Sequence, residues 1–403
     1  MSDATIDPRL QPARHAPKKP FQFNWSDPRF RNIVWQVLIL GGVAALVWYL
    51  VDNTTRNLQA RRIATGFAYL GRAAGFPIGE HLIDYDPSIS TYGDAIIVGI
   101  LNTLKVAVIG VVLATIWGTL LGVARLSKNW LISRLAAVYV EVVRDIPLLL
   151  QLLFWYSLLQ GLPGPRQSFN PVPGVFLSNR GFKIPSIDWV PDHWWVVVAF
   201  LVGAAGTILW SKAADKKQDE SGVRPKIWPV ALGLMLVAPL LVWAALGAQF
   251  TPEIPVLRGF NFVGGATLSP EYGALTIGLV LYTSAYIAEI VRSGILAVPT
   301  GQWEAAGALG LRNGMVLRKI VLPQAMRVII PPMTSQYLNL TKNSSLAVAI
   351  GYQDVTSIAS TTLNQTGQAI EGIATIMLVY LTISLSISLF MNWYNARIAL
   401  VER

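Results

Sequence analysis

The chain has 403 residues, of which 53% are hydrophobic and 13% charged, too apolar and too poor in charge for an ordinary soluble domain. Cysteine is absent, which leaves the compartment open. The net charge of +10 would suit nucleic acid, but its distribution excludes that partner, because the basic residues are spaced as in a membrane protein.

Stretches with few or no charges recur along the chain, each long enough to cross a hydrocarbon core of about 30 Å, which takes about 20 helical residues. They predict an all-α integral membrane protein with about eight transmembrane helices. In chain order the stretches are 33–51, 95–124, 136–160, 194–210, 227–250, 272–298, 326–351 and 372–396.

The first apolar stretch favours an uncleaved membrane anchor over a signal peptide. A polar leader of 32 residues precedes it, and its apolar core exceeds the usual length in signal peptides. Residues 1–31 are polar and are expected to be disordered.

Lys and Arg counts orient the predicted helices, because these residues are retained on the cytoplasmic side. With the N-terminus inside, the inner segments hold 21 Lys and Arg and the outer segments hold 8. Both termini are therefore predicted to be cytoplasmic.

The middle of the chain reads as an insertion. Residues 161–191 and 250–270 are rich in proline, glycine and aromatics and predict ordered outer loops rather than helices. Between them, two apolar helices flank a charged, solvated linker at 211–226. Removing this pair would leave the orientation of later helices unchanged. The predicted organisation is 1–92 (tail, first helix and outer loop), 93–160 (first core part), 161–271 (insertion) and 272–403 (second core part).

No catalytic constellation is evident. The three histidines are far apart in sequence, and the chain has no metal-ligand spacing, no Ser/His/Asp grouping and no phosphate-binding GxxxxGK[ST] loop. We therefore predict no catalytic residue, no metal and no cofactor bound by this chain. A membrane enzyme is disfavoured, and any energy source must lie outside this chain.

One water-compatible segment, residues 304–323, lies between two apolar stretches, and the charge count places it in the cytoplasm. It begins with Glu304, continues with small residues, and contains Gly310 and Pro323. Glycine permits unusual backbone angles and proline ends helices, so the segment predicts two short helices joined at a bend and a stop at Pro323.

The spacing E-A-A, three residues, G, nine residues, I-x-L-P resembles the cytoplasmic signature of bacterial ABC importer permeases. Further segments resemble the polar amino acid branch of that family, and they are 102–104, 144–149, 285–292 and 340–346. Most members have five helices and read R-G-T-P where this chain has residues 144–147. The longer-type subunits of the general L-amino acid permease are similar to this chain in that motif and in the inserted pair.

The resemblance implies a five-helix permease core plus one N-terminal helix and the inserted pair, in the bacterial inner membrane. The chain would translocate L-amino acids inward without hydrolysing ATP. ATP and Mg would be bound by partner ATPase subunits. The other implied partners are a related second permease subunit and a periplasmic amino-acid-binding protein. Contact with the ATPase would be made in a coupling loop, residues 298–325, by Glu304, Ala305, Ala306, Gly310, Leu311 and Pro323.

Physical reasoning leaves two roles open for Glu304 and Gly310. Glu304 would either stabilise the positive end of its helix dipole or pair with a basic group on the ATPase. Gly310 is either a simple helix cap or the bend that shapes a rigid knob.

Charges inside the apolar stretches are costly, by about 2.5–3.5 kcal/mol on insertion scales, so each needs an explanation. Lys105 can reach the outer interface and is expected to be structural. Arg144, flanked by Glu141 and Asp145, is expected to form a local ion pair that fixes its helix, and the alternative is a substrate contact. Glu289 forms either a structural pair with Arg292 or part of a substrate pathway. Lys342, followed by Asn343, Ser344 and Ser345, marks an expected helix break with free N–H groups, suited to a substrate carboxylate or to packing.

An alternative function is a secondary amino acid transporter driven by an ion gradient. That class predicts paired intramembrane acids and broken helices in two matching halves, and neither is clear in this sequence.

Overall fold

The computed structural model describes residues 25, 27–60, 65–187, 190–223, 225–247 and 252–398. The chain divides into two compact units, Met1–Phe67 and Ala68–Arg403. The first contains helix α1 (Pro28–Ala60), an apolar helix that is long enough to cross a membrane. The expectation of disorder for residues 1–24 lies outside the described residues, and for residues 28–31 it is wrong, because they form the first turn of α1.

The second unit is built mainly from helices, several of which bend or break. Its helices are α2 (Tyr92–Arg125), α3 (Trp130–Asp145), α4 (Leu148–Gln160), α5 (His193–Ser221), α6 (Trp228–Leu232), α7 (Ala238–Ala245), α8 (Pro270–Leu296), α9 (Thr300–Ala308), α10 (Asn313–Val316), α11 (Leu322–Asn343), α12 (Val355–Thr366) and α13 (Ala369–Ile398). The predicted membrane fold is confirmed.

Among the described residues, six helices are long and apolar enough to cross a membrane, against about eight predicted stretches. The third predicted stretch is split, because α3 ends at Asp145 and Pro147 opens α4 after one extended residue. A residue before proline avoids helical angles, which accounts for the break. The seventh stretch corresponds to α11, which has 22 residues, continues through Pro331 and Pro332, and is less apolar than the six.

Helix α8 lies at the centre of the core and packs against α2, α3, α4 and α11. Its contact with α2 is close because α2 presents glycine there. A Cβ at Gly118 would lie 2.7 Å from the Ile287 side chain, and one at Gly122 would lie 2.7 Å from the Ala288 carbonyl. Real Cβ atoms are not found at such distances, so any larger residue would push the two helices apart.

Residues 68–91 fold back along the first turns of α2. Thr91 and Asp94 form a capping box at the start of that helix, each side chain accepting from the other's backbone N–H. The segment buries Tyr69, Phe76 and Ile78 in a small apolar cluster that also contains residues of α2 and α12. The compact unit therefore begins at Ala68, and the predicted boundary at residue 92 cuts through it.

The inserted region 161–271 contains strands that sequence reasoning did not predict. Its strands are β1 (Phe169–Val172), β2 (Val175–Ser178), β3 (Gly181–Ile184), β4 (Ser186–Ile187), β5 (Pro252–Glu253), β6 (Val256–Arg258), β7 (Asn261–Val263) and β8 (Ala266–Leu268). One sheet has the order β1-β2-β3-β8, and the pairs β4-β5 and β6-β7 are separate. All pairs are antiparallel, and those between β3 and β8 and between β4 and β5 join the two sides of the inserted helices.

Candidate functional site

The coupling loop contains the predicted bend at Gly310. This residue has φ +68° and lies between α9 and α10. The N–H of Leu311 donates to the Ala306 carbonyl at 3.2 Å, and that of Gly310 donates to Gly307 at 2.9 Å. Together these bonds form a Schellman turn, which uses a left-handed residue and therefore favours glycine. The bend is confirmed, and it is at the same time the cap of α9, so the two roles considered for Gly310 coincide.

One side of the coupling loop is anchored in the core and the other is exposed. Ala306, Val316 and Val321 are buried in the main apolar cluster, and Leu311 packs against it. Leu309, directly before the bend, is 78% exposed. The loop is thus attached to the packed helices on one side and exposed on the other.

Glu304 lies on the exposed side, one turn further into its helix than the sequence suggested. Helix α9 begins at Thr300, and its first turn contains no acidic residue. The helix dipole acts within the first turn, so the expectation that Glu304 stabilises the helix start is wrong. The carboxylate has no ion pair or hydrogen bond with the part of the chain that the structure describes, which leaves it available to a partner.

Pro323 does not end a helix, contrary to expectation. A π-helical turn, Leu317–Val321, joins α10 to α11, and Pro323 is the second residue of α11. The N–H of Leu322 donates to the Leu317 carbonyl, five residues back. This wider spacing relieves the clash that a proline ring makes inside a regular helix, so the helical path continues into the membrane.

Lys342 lies on a groove of about 530 Å³ between α11 and α13, here named the Lys342 groove. Its polar lining consists of Lys342, Tyr380 and Ser384, and its apolar wall of Ala374, Met377, Leu378 and Leu381. Within the described residues, the Lys342 ammonium has no ion pair or hydrogen bond.

The predicted helix break after Lys342 is confirmed, but the expected free N–H groups are not all present. Helix α11 ends at Asn343 and continues as a 3₁₀ helix, Ser344–Ile350. The N–H of Ser344 bonds back to Leu340, so it is not free. The side chains of Ser344 and Ser345 donate to the carbonyls of Thr341 and Lys342, both at 2.8 Å.

A buried polar cluster lies behind the groove. Asp354 is fully buried, and it caps α12 by accepting from the Ser357 N–H at 2.9 Å. The Tyr380 hydroxyl donates to Asp354 Oδ2 at 3.1 Å and lies 3.3 Å from Thr356 Oγ1. Ser344 Oγ approaches the same hydroxyl at 3.5 Å. The cluster thus connects the groove-lining Tyr380 to a buried carboxyl.

Comparison with known proteins decides the family. Residues 227–400 match the family described as the binding-protein-dependent transport system inner membrane component. The chain is 50% identical over 386 residues to the putative amino-acid ABC transporter permease protein YhdX of Escherichia coli, covering 94% of this chain and 97% of that one. The chain belongs to the amino acid ABC transporter permeases. It is thus a multi-pass inner-membrane protein of a transport family whose members work with ATPase and binding-protein partners.

Two further relatives extend along nearly the whole permease. The general L-amino acid transport system permease protein AapQ of Rhizobium johnstonii is 48% identical, with 94% of each chain covered. The glutamate/glutamine/aspartate/asparagine transport system permease protein BztB of Rhodobacter capsulatus is 40% identical, with 97% of this chain and 99% of that one covered. The inserted region is therefore included in the similarity.

Glu289 of the permease lies in an ionic cluster between α2 and α8. Its carboxylate contacts Arg292 at 2.5 Å and also Arg125, the last residue of α2. The structure therefore favours the structural alternative considered for Glu289, and its place in a substrate pathway stays a prediction. The second basic residue was not identified from sequence, because Arg125 lies 164 positions away from Glu289.

Lys105 and Arg144, two other cations in the apolar stretches, have different kinds of contact. Lys105 pairs with Glu80 at 2.8 Å and stacks on the Tyr272 ring at 4.1 Å, so its structural role is confirmed. The expected local ion pair of Arg144 is wrong within the described residues. Its guanidinium instead lies 5.0 Å from the ring of Tyr286 on α8, where the ring face attracts the cation.

Sequence reasoning missed Asp354, Tyr380 and Glu80. Asp354 followed by Ser357 at three residues is an ordinary helix-cap signal and points to no ligand. Tyr380 lies in an uncharged apolar stretch and carries no local signal. Glu80 could have been suspected, because a cation such as Lys105 in an apolar helix needs a counter-ion.

Proposed function

We propose that this permease moves L-amino acids into the cytoplasm, driven by separate ATPase subunits that bind its coupling loop and carry ATP and Mg. The anchored and exposed coupling loop is the observation that carries the proposal. A soluble motor can move membrane helices only through a rigid element attached to them, and the Gly310 turn with its buried Ala306 side supplies one.

Glu304 suits the ATPase contact for electrostatic reasons. It is exposed, and it lies two turns from the glycine bend on the same side of the membrane as the basic residues of the coupling loop. A cation on the ATPase would pair with it through a charge-assisted hydrogen bond. Ala305, Leu311 and Pro323 complete the proposed contact surface.

The proposed topology has both termini and the coupling loop in the cytoplasm and the strands of the inserted region outside. Support comes from the 21 Lys and Arg of the inner segments against 8 of the outer ones. A periplasmic amino-acid-binding protein would deliver the substrate to the outer side. A related second permease subunit would complete the path.

A broad amino acid range is supported by the relatives, whose names cover general L-amino acids and a set of acidic and amide amino acids. In the proposed pathway the substrate passes Lys342, Asn343, Ser344 and Ser345. Glu289 remains a further candidate in the same pathway.

The test is reconstitution of the permease in liposomes with its ATPase, second permease and binding protein. We expect uptake of radiolabelled L-amino acids that requires ATP on the side of the liposome membrane where the ATPase subunits are bound. This uptake should persist when ion gradients are collapsed. Uptake without ATP but with an imposed ion gradient would instead identify a secondary transporter.

A further inference from the structure

The Lys342 groove combines a free cation with a hydroxyl that is backed by a buried carboxyl. An α-amino acid carries the complementary charges, a carboxylate and an ammonium on adjacent atoms. We propose that the Lys342 groove binds the zwitterionic part of the substrate, with Lys342 on the α-carboxylate and Tyr380, backed by Asp354, on the α-ammonium. This inference rests on the proposed function.

Helix α13 presents the groove as one continuous face. Ala374, Met377, Leu378 and Leu381 follow the spacing of residues that lie above one another on a helix. Tyr380 and Ser384 are four residues apart and neighbour this face. Side chains from one rigid helix therefore line the groove opposite Lys342 of α11, and their geometry does not depend on a flexible loop.

The carboxylate end is argued from Lys342. Within the described ranges this ammonium has no counter-ion, and the surrounding wall is apolar. Lys342 is exposed rather than enclosed, so a ligand in the groove can reach its ammonium, and an unpaired cation beside an apolar wall attracts an anion. A substrate carboxylate would supply the missing partner.

The ammonium end is argued from Tyr380 and Asp354. The Tyr380 hydroxyl gives its proton to Asp354 at 3.1 Å, so its oxygen is an acceptor for other groups, and Thr356 Oγ1 at 3.3 Å is already one of its neighbours. Asp354 is buried behind it and adds a negative charge with no direct access from the groove. An ammonium beside Tyr380 would therefore receive a hydrogen bond and an attractive field.

The apolar lining of the groove accounts for the binding of amino acids with different side chains. Lys342 is the only charged residue among the described lining residues, and the opposite wall offers four apolar side chains. A groove that recognises the backbone charges and provides no specific polar partner for the side chain discriminates weakly between amino acids. Its volume lies in the range of small-molecule sites, about 300–1,000 Å³.

The experiment measures equilibrium binding of radiolabelled L-leucine, L-glutamine and L-glutamate to the purified whole transporter in nanodiscs, without the binding protein. These ligands share the zwitterion and differ in side chain. The variants are Lys342→Met, Lys342→Arg and Tyr380→Phe, and Lys216→Met, at an exposed position near the C-terminal end of α5, is the matched control. ATP hydrolysis of each assembly checks that the variants fold and assemble.

We expect Lys342→Met to weaken binding of all three ligands by a similar factor, about tenfold to a hundredfold, with partial recovery in Lys342→Arg. Tyr380→Phe is expected to weaken all three by about three- to tenfold. The leucine analogue 2-hydroxy-4-methylpentanoate has a hydroxyl in place of the ammonium. It should compete poorly with radiolabelled L-leucine for binding to the wild-type transporter.

Unchanged binding in Lys342→Met, or a loss for only one ligand, would overturn the inference. If the wild type transports amino acids and these variants bind them normally, the proposed function stands and only the substrate site in the Lys342 groove is rejected. A wild type that binds and transports no amino acid would instead remove the proposed function itself.

Discussion

Glu80 Oε2 lies 2.8 Å from the ammonium of Lys105, and the pair joins the segment before the core to helix α2. The second carboxylate oxygen accepts from the Ser269 N–H at 2.6 Å, directly before α8. The Glu80 carbonyl accepts from Asn102, which also donates to the carbonyl of Gln353. Glu80 therefore connects its own segment to α2 and to the start of α8, and Asn102 extends the network to Gln353.

Glu80→Gln is expected to destabilise the permease by about 2–4 kcal/mol. The substitution leaves Lys105 without its counter-ion in a setting where both side chains are at most 16% exposed. Thermal unfolding in nanodiscs measures the effect, and the double variant with Lys105→Met should cost less than the two single changes together.

The exposed pair of Arg56 and Asp52 on α1 is the matched control for this prediction. Its atoms are 2.5 Å apart, but the Arg56 side chain is 75% exposed. Arg56→Gln should change stability by less than about 1 kcal/mol. Equal effects at Glu80 and Arg56, or strict additivity with Lys105→Met, would show that the Glu80 pair has no special role.

Glu304→Lys is expected to weaken ATPase binding by about tenfold or more while the permease stays folded in the membrane. The change places a cation where a charge-assisted contact is proposed, so attraction becomes repulsion. Glu304→Gln should give an intermediate loss. Co-purification and surface binding measure the affinity, with Glu220→Lys, at an exposed position at the C-terminal end of α5, as the control. Normal affinity and uptake in Glu304→Lys would contradict the role of this residue.

Gly310→Ala is expected to destabilise the coupling loop by about 1–2 kcal/mol, the cost of a left-handed angle for a residue with a Cβ. The reason is conformational alone, since a Cβ at this position would meet nothing within 4 Å. Local hydrogen exchange in residues 298–325 should rise. Gly301→Ala, in α9 with equal space and no positive φ, should stabilise the loop instead. Matching effects at both glycines would contradict the argument.

Sequence patterns predicted the features that depend on neighbouring residues. The bend at Gly310 and the helix break after Asn343 follow from glycine, proline and capping residues close by. The sheet of the inserted region could not be predicted, because β3 pairs with β8, and the three helices α5, α6 and α7 lie between these strands in the sequence. The same reason hid the partners of Lys105 and Glu289, which lie 25 and 164 positions away. Distant contacts depend on how the helices pack, and apolar periodicity does not specify that.

Glu289→Gln separates a structural role from a substrate contact. Removing the charge leaves Arg125 and Arg292 facing a neutral partner, and a loss of about 1–3 kcal/mol in stability is expected. Substrate affinity in nanodiscs should stay within about twofold of the wild type. Glu141→Gln, an exposed acid on α3, serves as the control for stability. A large loss of affinity with unchanged stability would place Glu289 in the substrate pathway.

Asp354→Asn is expected to stabilise the permease at neutral pH and to weaken substrate binding. Burial raises the pKa of the Asp354 carboxyl from 3.8 to about 6, which outweighs the lowering effect of the Ser357 and Tyr380 hydrogen bonds. The residue lies in the turn before α12, outside the membrane-spanning helices. The folded protein holds this proton more tightly than the unfolded chain, so the stabilisation present below about pH 4 is lost as the pH rises through 6.

Asparagine caps helices as well as aspartate and has no charge to desolvate, so the Asp354→Asn variant should gain about 1–3 kcal/mol of stability at pH 7.5 and little at pH 4. Unfolding midpoints of both proteins in nanodiscs from pH 4 to 8 measure the difference. If the midpoint of Asp354→Asn changes with pH as much as that of the wild type, Asp354 does not titrate in this window.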